Sequence, residues 1–285
     1  MLAINYAILL TDETESQSVL DEAVTIYQDI FGFGNEAMID PLSNLGQMLA
    51  DFDRTHLASQ YYVRSLELAR THFGEDSSKV GAIYLELGAV ALRAEQFDTA
   101  HSRITDARKN LYSSTDPAAR SNLVRADLLL GDYFLKTRQY EQAIEPLLLS
   151  LESLSRYPNA DITLRNRIAL IEAYENLGRS EESTVHCLFI GASRAFRGNE
   201  RLQPLYTVVP DVADFTGISD QRDDLRIAFT VDEEGFVRDP VVISSIDSEI
   251  LRRRLLNAVR RFRFAPRFID GEAVATHNQE YIFRN

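Results

Sequence analysis

The sequence predicts an α solenoid of helix-pair repeats followed by a small α+β domain of order strand–strand–helix–strand. Three observations carry this. Leu45-Gly46, Leu87-Gly88 and Leu130-Gly131 are each followed, twelve residues after the glycine, by an alanine (Ala58, Ala100, Ala143) and, four residues later, by a large apolar residue (Tyr62, Ile104, Leu147). A unit of roughly 40 residues that recurs in this way is the mark of stacked helix pairs. From Leu225 the hydrophobic period changes to two: Leu225, Ile227, Phe229 and Val231 alternate with Arg226, Ala228, Thr230 and Asp232, the pattern of a half-buried strand.

In the second unit Pro41–Asp51 reads as helix A and His56–Arg70 as helix B. Glycine inside helix A costs about 1 kcal/mol relative to alanine, and close approach of helix B is the expected reason. Two degenerate units fit the same register. Ala23 and Tyr27 match near the start, with Thr11 in the glycine position, and Tyr174 and Cys187 match near the end, with Ile171 and Ser183 in the glycine and alanine positions. Five units are therefore expected over 1–197, a linker over 198–221 marked by Gly198-Asn199, Pro204, Pro210 and Gly217, and the second domain over 222–285. In that domain Glu233-Glu234-Gly235 turns the chain, Phe236–Ser245 forms the second strand, and Pro240 requires an edge or bulge. Asp247 or Ser248 caps a helix that buries Ile250, Leu251, Leu255, Ala258, Val259 and Phe262. Asp270-Gly271 turns, and Ala273–Phe283 closes as the last strand.

The repeat register resembles the tetratricopeptide repeat, and the longer period with Phe31-Gly32 and Phe73-Gly74 between units is similar to its kinesin-light-chain subtype. That resemblance implies a concave groove lined by Ser43, Gln47, Asp51, Arg93, Arg125, Asp132, Lys136, Arg165 and Glu172. Arg125, Lys136 and Arg165 could receive a carboxylate or an acidic peptide, or be solvated charges paired with nearby acids. The carboxylate clamp of that family is not matched, because Ser43 and Gln47 stand where lysine and asparagine are expected.

The second domain resembles the C-terminal domain of TonB-like proteins. The matching residues are Val231, Asp232, Gly235, Ser244-Ser245, Phe262, Phe264, Pro266, Asp270 and Gly271, while Asp223-Asp224 replace the glycine usual before the first strand. The resemblance implies that the last strand offers an edge to which a receptor's segment adds, here His277, Asn278, Gln279, Glu280, Tyr281, Ile282 and Phe283. Self-pairing in a homodimer, or blunting by Glu280 and Arg284, is the alternative.

Composition narrows the partners. Of the 285 residues, 30 are basic and 43 acidic, for a net charge of −13. Residues 221–285 hold eleven arginines and eleven acids, so the excess lies in residues 1–220, which should repel nucleic acid and anionic lipid. Arg252, Arg253, Arg254, Arg260, Arg261, Arg263 and Arg267 read as a solvated face that docks on acidic repeats rather than a nucleic-acid surface. Cys187 is the sole cysteine and fits a small core position. Met1–Leu10 looks like a repeat helix entered after its start, so any export signal or membrane anchor is expected to lie outside this sequence.

Gly32-Phe33-Gly34-Asn35-Glu36-Ala37 spells G-x-G-x-x-A but lacks the preceding strand that a dinucleotide site needs. The five histidines are scattered, and His186 and Cys187, being adjacent, point in different directions. No enzyme, cofactor or metal is expected. The sequence reads as a periplasmic, noncatalytic adaptor that binds other proteins or peptides. A TonB-related transducer component that contacts an outer-membrane receptor is the second reading.

Overall fold

The computed structural model describes residues 13–32, 34–193, 201–210, 225–244 and 248–283. The expectations at Met1–Leu10, Thr11, Phe33, Gly198-Asn199, Gly217, Asp223-Asp224, Ser245, Asp247 and Arg284, and the side chains of Tyr27 and Phe31, lie outside the described residues. The chain forms two compact units, Met1–Ser153 and Leu154–Asn285.

In the first unit, α1 (Glu13–Phe31) precedes three helix pairs: α2 (Ile39–Asp51) with α3 (Thr55–Phe73), α4 (Ser78–Arg93) with α5 (Phe97–Tyr112), and α6 (Pro117–Lys136) with α7 (Tyr140–Ser153). Ser77 caps α4 by accepting from the Val80 amide at 3.3 Å. Asp116 caps α6 by accepting from the Ala118 amide at 2.9 Å, with Pro117 in the first turn. Both are favoured N-terminal arrangements.

The repeated glycines pack against the residue sixteen positions on. A Cβ at Gly46 would lie 3.0 Å from the Tyr62 ring, one at Gly88 2.8 Å from Ile104, and one at Gly131 inside the Leu147 side chain. The close approach expected from the sequence is therefore made over the apolar residue, and Ala58, Ala100 and Ala143, all fully buried, sit one turn away. Gly131→Ala should destabilise the first unit by about 2 kcal/mol through overpacking. Gly46→Ala, facing a flat ring, should cost less than half of that. Urea unfolding of the two variants tests the order, and equal effects would show that helix propensity alone governs these positions.

The A-to-B turns share a device the spacing argument missed. Asp53, Glu95 and Arg138 have φ of 62°, 57° and 59°, and Gly178 in the second unit has 71°. The next amide in each case reaches back to the helix, as Arg54 to Leu49, Gln96 to Ala91, Gln139 to Phe134 and Arg179 to Tyr174. This left-handed cap satisfies carbonyls at the helix end.

The second unit holds the last helix pair, α8 (Asp161–Asn176) and α9 (Ser180–Ser193), together with the strand-rich module. The module contains β1 (Pro204–Tyr206), β2 (Leu225–Val231), β3 (Val237–Val242), α10 (Glu249–Val259), β4 (Arg263–Phe264), β5 (Arg267–Ile269), β6 (Glu272–Val274) and β7 (Thr276–Phe283). Its main sheet is antiparallel, in the order β3-β2-β7. Ile227, Val231, Leu255, Val259, Phe262 and Phe264 form its core.

Within the stretch read as a linker, β1 pairs with β4. Three expectations are corrected. The last strand is split: β6 closes a hairpin with β5 over Asp270 (φ 53°) and Gly271 (φ 86°), and β7 follows. Ile250 is exposed rather than part of the buried stripe, since the helix turns it away from the sheet. Arg263 is buried, not solvated. Ser248 is the cap of α10, accepting from the Leu251 amide at 3.3 Å. Pro240 lies on the edge strand β3, beside left-handed Asp239.

Candidate interaction site

On the repeat helices of the first unit, charged side chains link successive A helices. Arg125 on α6 donates to Glu86 on α4 at 2.9 Å. Arg93 on α4 donates to the Ala50 carbonyl at the end of α2. Within α2, Gln47 donates to Asp51 at 3.1 Å. The Tyr62 hydroxyl belongs to the same cluster: burial raises its pKa, as do Glu86 and Asp51, while Arg125 and Arg93 oppose them. Ser43 bonds to Ser65 on α3 at 2.8 Å, and the buried Ser65 hydroxyl bonds to the Ile39 carbonyl. Asp132 is half-buried and Lys136 exposed on α6. Arg165, exposed, and Glu172, half-buried, lie on α8 in the second unit. Arg125 and Arg93 are thus engaged within the repeats, and a ligand anion would compete with Glu86 for Arg125. Glu86, which immediately precedes the Leu-Gly pair, is an addition to the residues expected in the groove, and Tyr62, expected only as a core residue, brings its hydroxyl into the same cluster.

The strand module presents two sheet edges of different character. On β3, Pro240 lacks an amide and Asp239 takes a left-handed turn, both of which discourage further pairing. On the other side β7 pairs with β2 from Leu225↔Phe283 to Val231↔Thr276, and among the described residues no strand pairs with its outer side. A bulge separates two stretches of β7. Asn278 has φ 57° and the register shifts there, leaving Gln279–Phe283 in regular alternation. Tyr281 and Phe283 turn inward, with rings 4.9 and 6.2 Å from Phe262. Gln279 is buried, and its side-chain oxygen accepts from the Leu202 amide at 2.9 Å. Glu280 pairs with Arg201 at 3.1 Å. His277 is exposed and lies 3.2 Å from the Thr230 hydroxyl. Ile282 alternates with the inward rings.

The motif residues hold the turns that frame this sheet. Asp232 accepts from the amides of Glu234 and Phe236 at 3.0 and 2.8 Å and from Arg238 at 2.7 Å. Ser244 accepts from the Arg226 amide at 3.1 Å.

Arg263, 1 % exposed, ties the module to the last helix pair. Its guanidinium donates to Glu175 at 2.7 Å, Ser183 at 3.1 Å, Thr184 at 2.8 Å and the Glu234 carbonyl at 3.0 Å. It also stacks 3.6 Å over Phe236. Gly191 on α9 faces the Pro266 carbonyl so closely that a Cβ would collide with it. Ile171, Cys187, Ile190, Tyr206 and Ala265 pack into one buried cluster, in which burial pushes the Cys187 thiol up to about 11.

His186 stacks on Tyr174 and its Nδ1 lies 3.1 Å from Arg167. Burial, aided by Arg167, holds its pKa down from 6.5 to about 4. Between those values the unfolded chain binds a proton that the folded one does not, so stability is full above the upper value and falls as pH drops through the window. The loss should reach about 3 kcal/mol. Urea midpoints of the second unit at several pH values check this, and His186→Gln should flatten the slope.

Together these features define a helical-repeat protein with a sheet-edge module. Residues 219–284 match the family model of the Gram-negative bacterial TonB protein C-terminal domain. Among solved structures, the chain is similar to the crystal structure of BtubC (BKLC) from P. vanneervenii, with 15% identity and a TM-score of 0.54 over 70% of this chain and 81% of that chain. That likeness concerns the fold and supports tetratricopeptide-like repeats. No curated protein matches. The chain thus joins tetratricopeptide-like repeats to a TonB C-terminal-type domain, two kinds of domain that generally mediate protein–protein interaction.

Proposed function

We propose that this protein is a noncatalytic adaptor of a Gram-negative-type cell envelope. It engages partners through the repeat groove and by strand addition to the module. The observation that carries the reading is the asymmetry of the sheet: β3 is blunted by Pro240 and Asp239, while the outer side of β7 is unpaired among the described residues. An extended segment laid along Gln279–Phe283 would gain backbone hydrogen bonds, and outward-alternating side chains such as Ile282 would supply selectivity. In the groove, an acidic segment would take Arg125 from Glu86. The repeats and the module would then hold two proteins, or two parts of one.

The family match of the module favours a second reading, a TonB-related transducer component that contacts an outer-membrane receptor. One experiment separates the two. A photo-crosslinking residue is placed at Ile282 and, in a second variant, at Lys136, and adducts are collected from a periplasmic extract and from outer membranes. Adducts of both variants with soluble envelope proteins support the adaptor. An Ile282 adduct with an outer-membrane receptor supports the transducer. If Ile282 links only to a second copy of the chain, or yields no adduct while the protein is folded, strand addition to a partner is wrong.

A further inference from the structure

Two exposed helix faces on this chain complement each other. On α7, Leu148 and Leu149 are 43 % and 42 % exposed, and Glu141, Glu145 and Glu152 flank them on the same face of the helix. Together with Ile144 these residues line a shallow groove. The spacing i, i+3, i+4, i+7, i+8 and i+11 makes this one continuous stripe, apolar along its middle and acidic at its margins. On α10, Ile250 is 59 % exposed, with Arg253 and Arg254 one turn on, also exposed. This second stripe is apolar at one end and basic along its length. Neither face contributes to the groove cluster around Arg125 or to the β7 edge.

We propose that α10 of one copy docks on the α7 face of another, with Ile250 against Leu148 and Leu149, and Arg253 and Arg254 against the acids at its margins. Charge complementarity selects this occupant. An acidic stripe repels residues 1–220, which carry the chain's excess negative charge, and the arginine-rich helix is the chain's own counterpart. Because the two faces are different surfaces, the contact is heterologous, so each copy keeps one free face and assembly continues beyond two. A single helix face buries less than a standard interface, so association is weak and concentration-dependent. It is also weakened by salt, since its charges are exposed.

Sedimentation velocity of the full chain over a concentration series tests this. The expected result is a mass that rises with concentration beyond a dimer and shrinks when salt is raised. Leu149→Lys and Arg253→Glu alter exposed residues, so both should keep the wild-type melting temperature. Each should lower the association constant at least tenfold. Mixed together, they should form a 1:1 dimer that grows no further, because each retains the one face that the other lacks. A chain that stays monomeric throughout overturns the proposal. So does self-association that neither variant weakens, or one that stops at a dimer in the wild type, which would point to the β7 edge. Binding of α10 to vesicles of anionic phospholipid, lost in Arg253→Glu with no change in self-association, would assign the arginine face to lipid and overturn it as well.

Discussion

Replacing Arg263 by methionine should destabilise the second unit by about 3–5 kcal/mol, the cost of leaving a buried carboxylate without its counter-ion. Glu175 is 9 % exposed and, among the described residues, would keep the hydroxyls of Ser180 and Ser183 as its side-chain donors. The Glu234 carbonyl and the Thr184 hydroxyl would lose a partner, and Phe236 the cation stacked on it. Glu175→Leu alone should be comparably damaging, since it strands the guanidinium instead. The double variant Arg263→Met/Glu175→Leu should recover at least half of the loss, because an apolar pair of similar volume leaves no buried charge. Urea unfolding measures the free energies. Alkylation of Cys187 gives an independent reading: as the sole cysteine, buried and with its thiol pushed up to about 11, it should react slowly in the wild type and faster in either single variant. A double variant no better than the singles would mean that the hydroxyl network, not the charge pair, carries the energy.

Gly235→Ala should be nearly as severe, at about 3 kcal/mol, from left-handed strain together with overpacking. Gly235 has φ 86°, and a Cβ there would collide with the Phe264 carbonyl, which is backbone and cannot rotate away. Its own carbonyl accepts from the Phe264 amide at 2.9 Å, and Phe236 bridges Arg263 in the adjacent position. The substitution should therefore move Phe236 off the guanidinium as well as open the turn. Amide exchange of Phe264 and the melting temperature report the two effects. An unchanged melting temperature would show that β4 shifts freely, against the packing described above.

The parts of this architecture legible in the sequence are those set by local chemistry. The Leu-Gly spacing could be read because each glycine lies under a residue sixteen positions away within the same helix pair. The TonB-like motif could be read because its members are turn formers and core aromatics: Asp232 and Gly235 at one turn, Asp270 and Gly271 at another, Phe262 and Phe264 in the core. Arg263 could not be separated from its six neighbouring arginines, because its distinction is a carboxylate 88 positions earlier. β1 escaped notice because three residues carry no usable period. The A-to-B turns escaped because Asp53, Glu95, Arg138 and Gly178 share a backbone conformation but no side-chain type. Arg125 and Arg93 stood out in the repeat register, but their pairings did not, and it is the pairing that makes them tie successive helices together.

The antiparallel ladder between β2 and β7 also has a mechanical meaning. It runs from Leu225↔Phe283 to Val231↔Thr276 with a single break at the bulge, so tension along β7 strains many hydrogen bonds at once instead of peeling them in turn. A filament or tether laid against that strand and drawn lengthwise would meet its firmest resistance in the Gln279–Phe283 stretch and would yield first at Asn278. From β2 the load would pass through the hairpin at Gly235 and the Arg263 clasp into α8, making the last helix pair the anchor plate for whatever pulls on the strand.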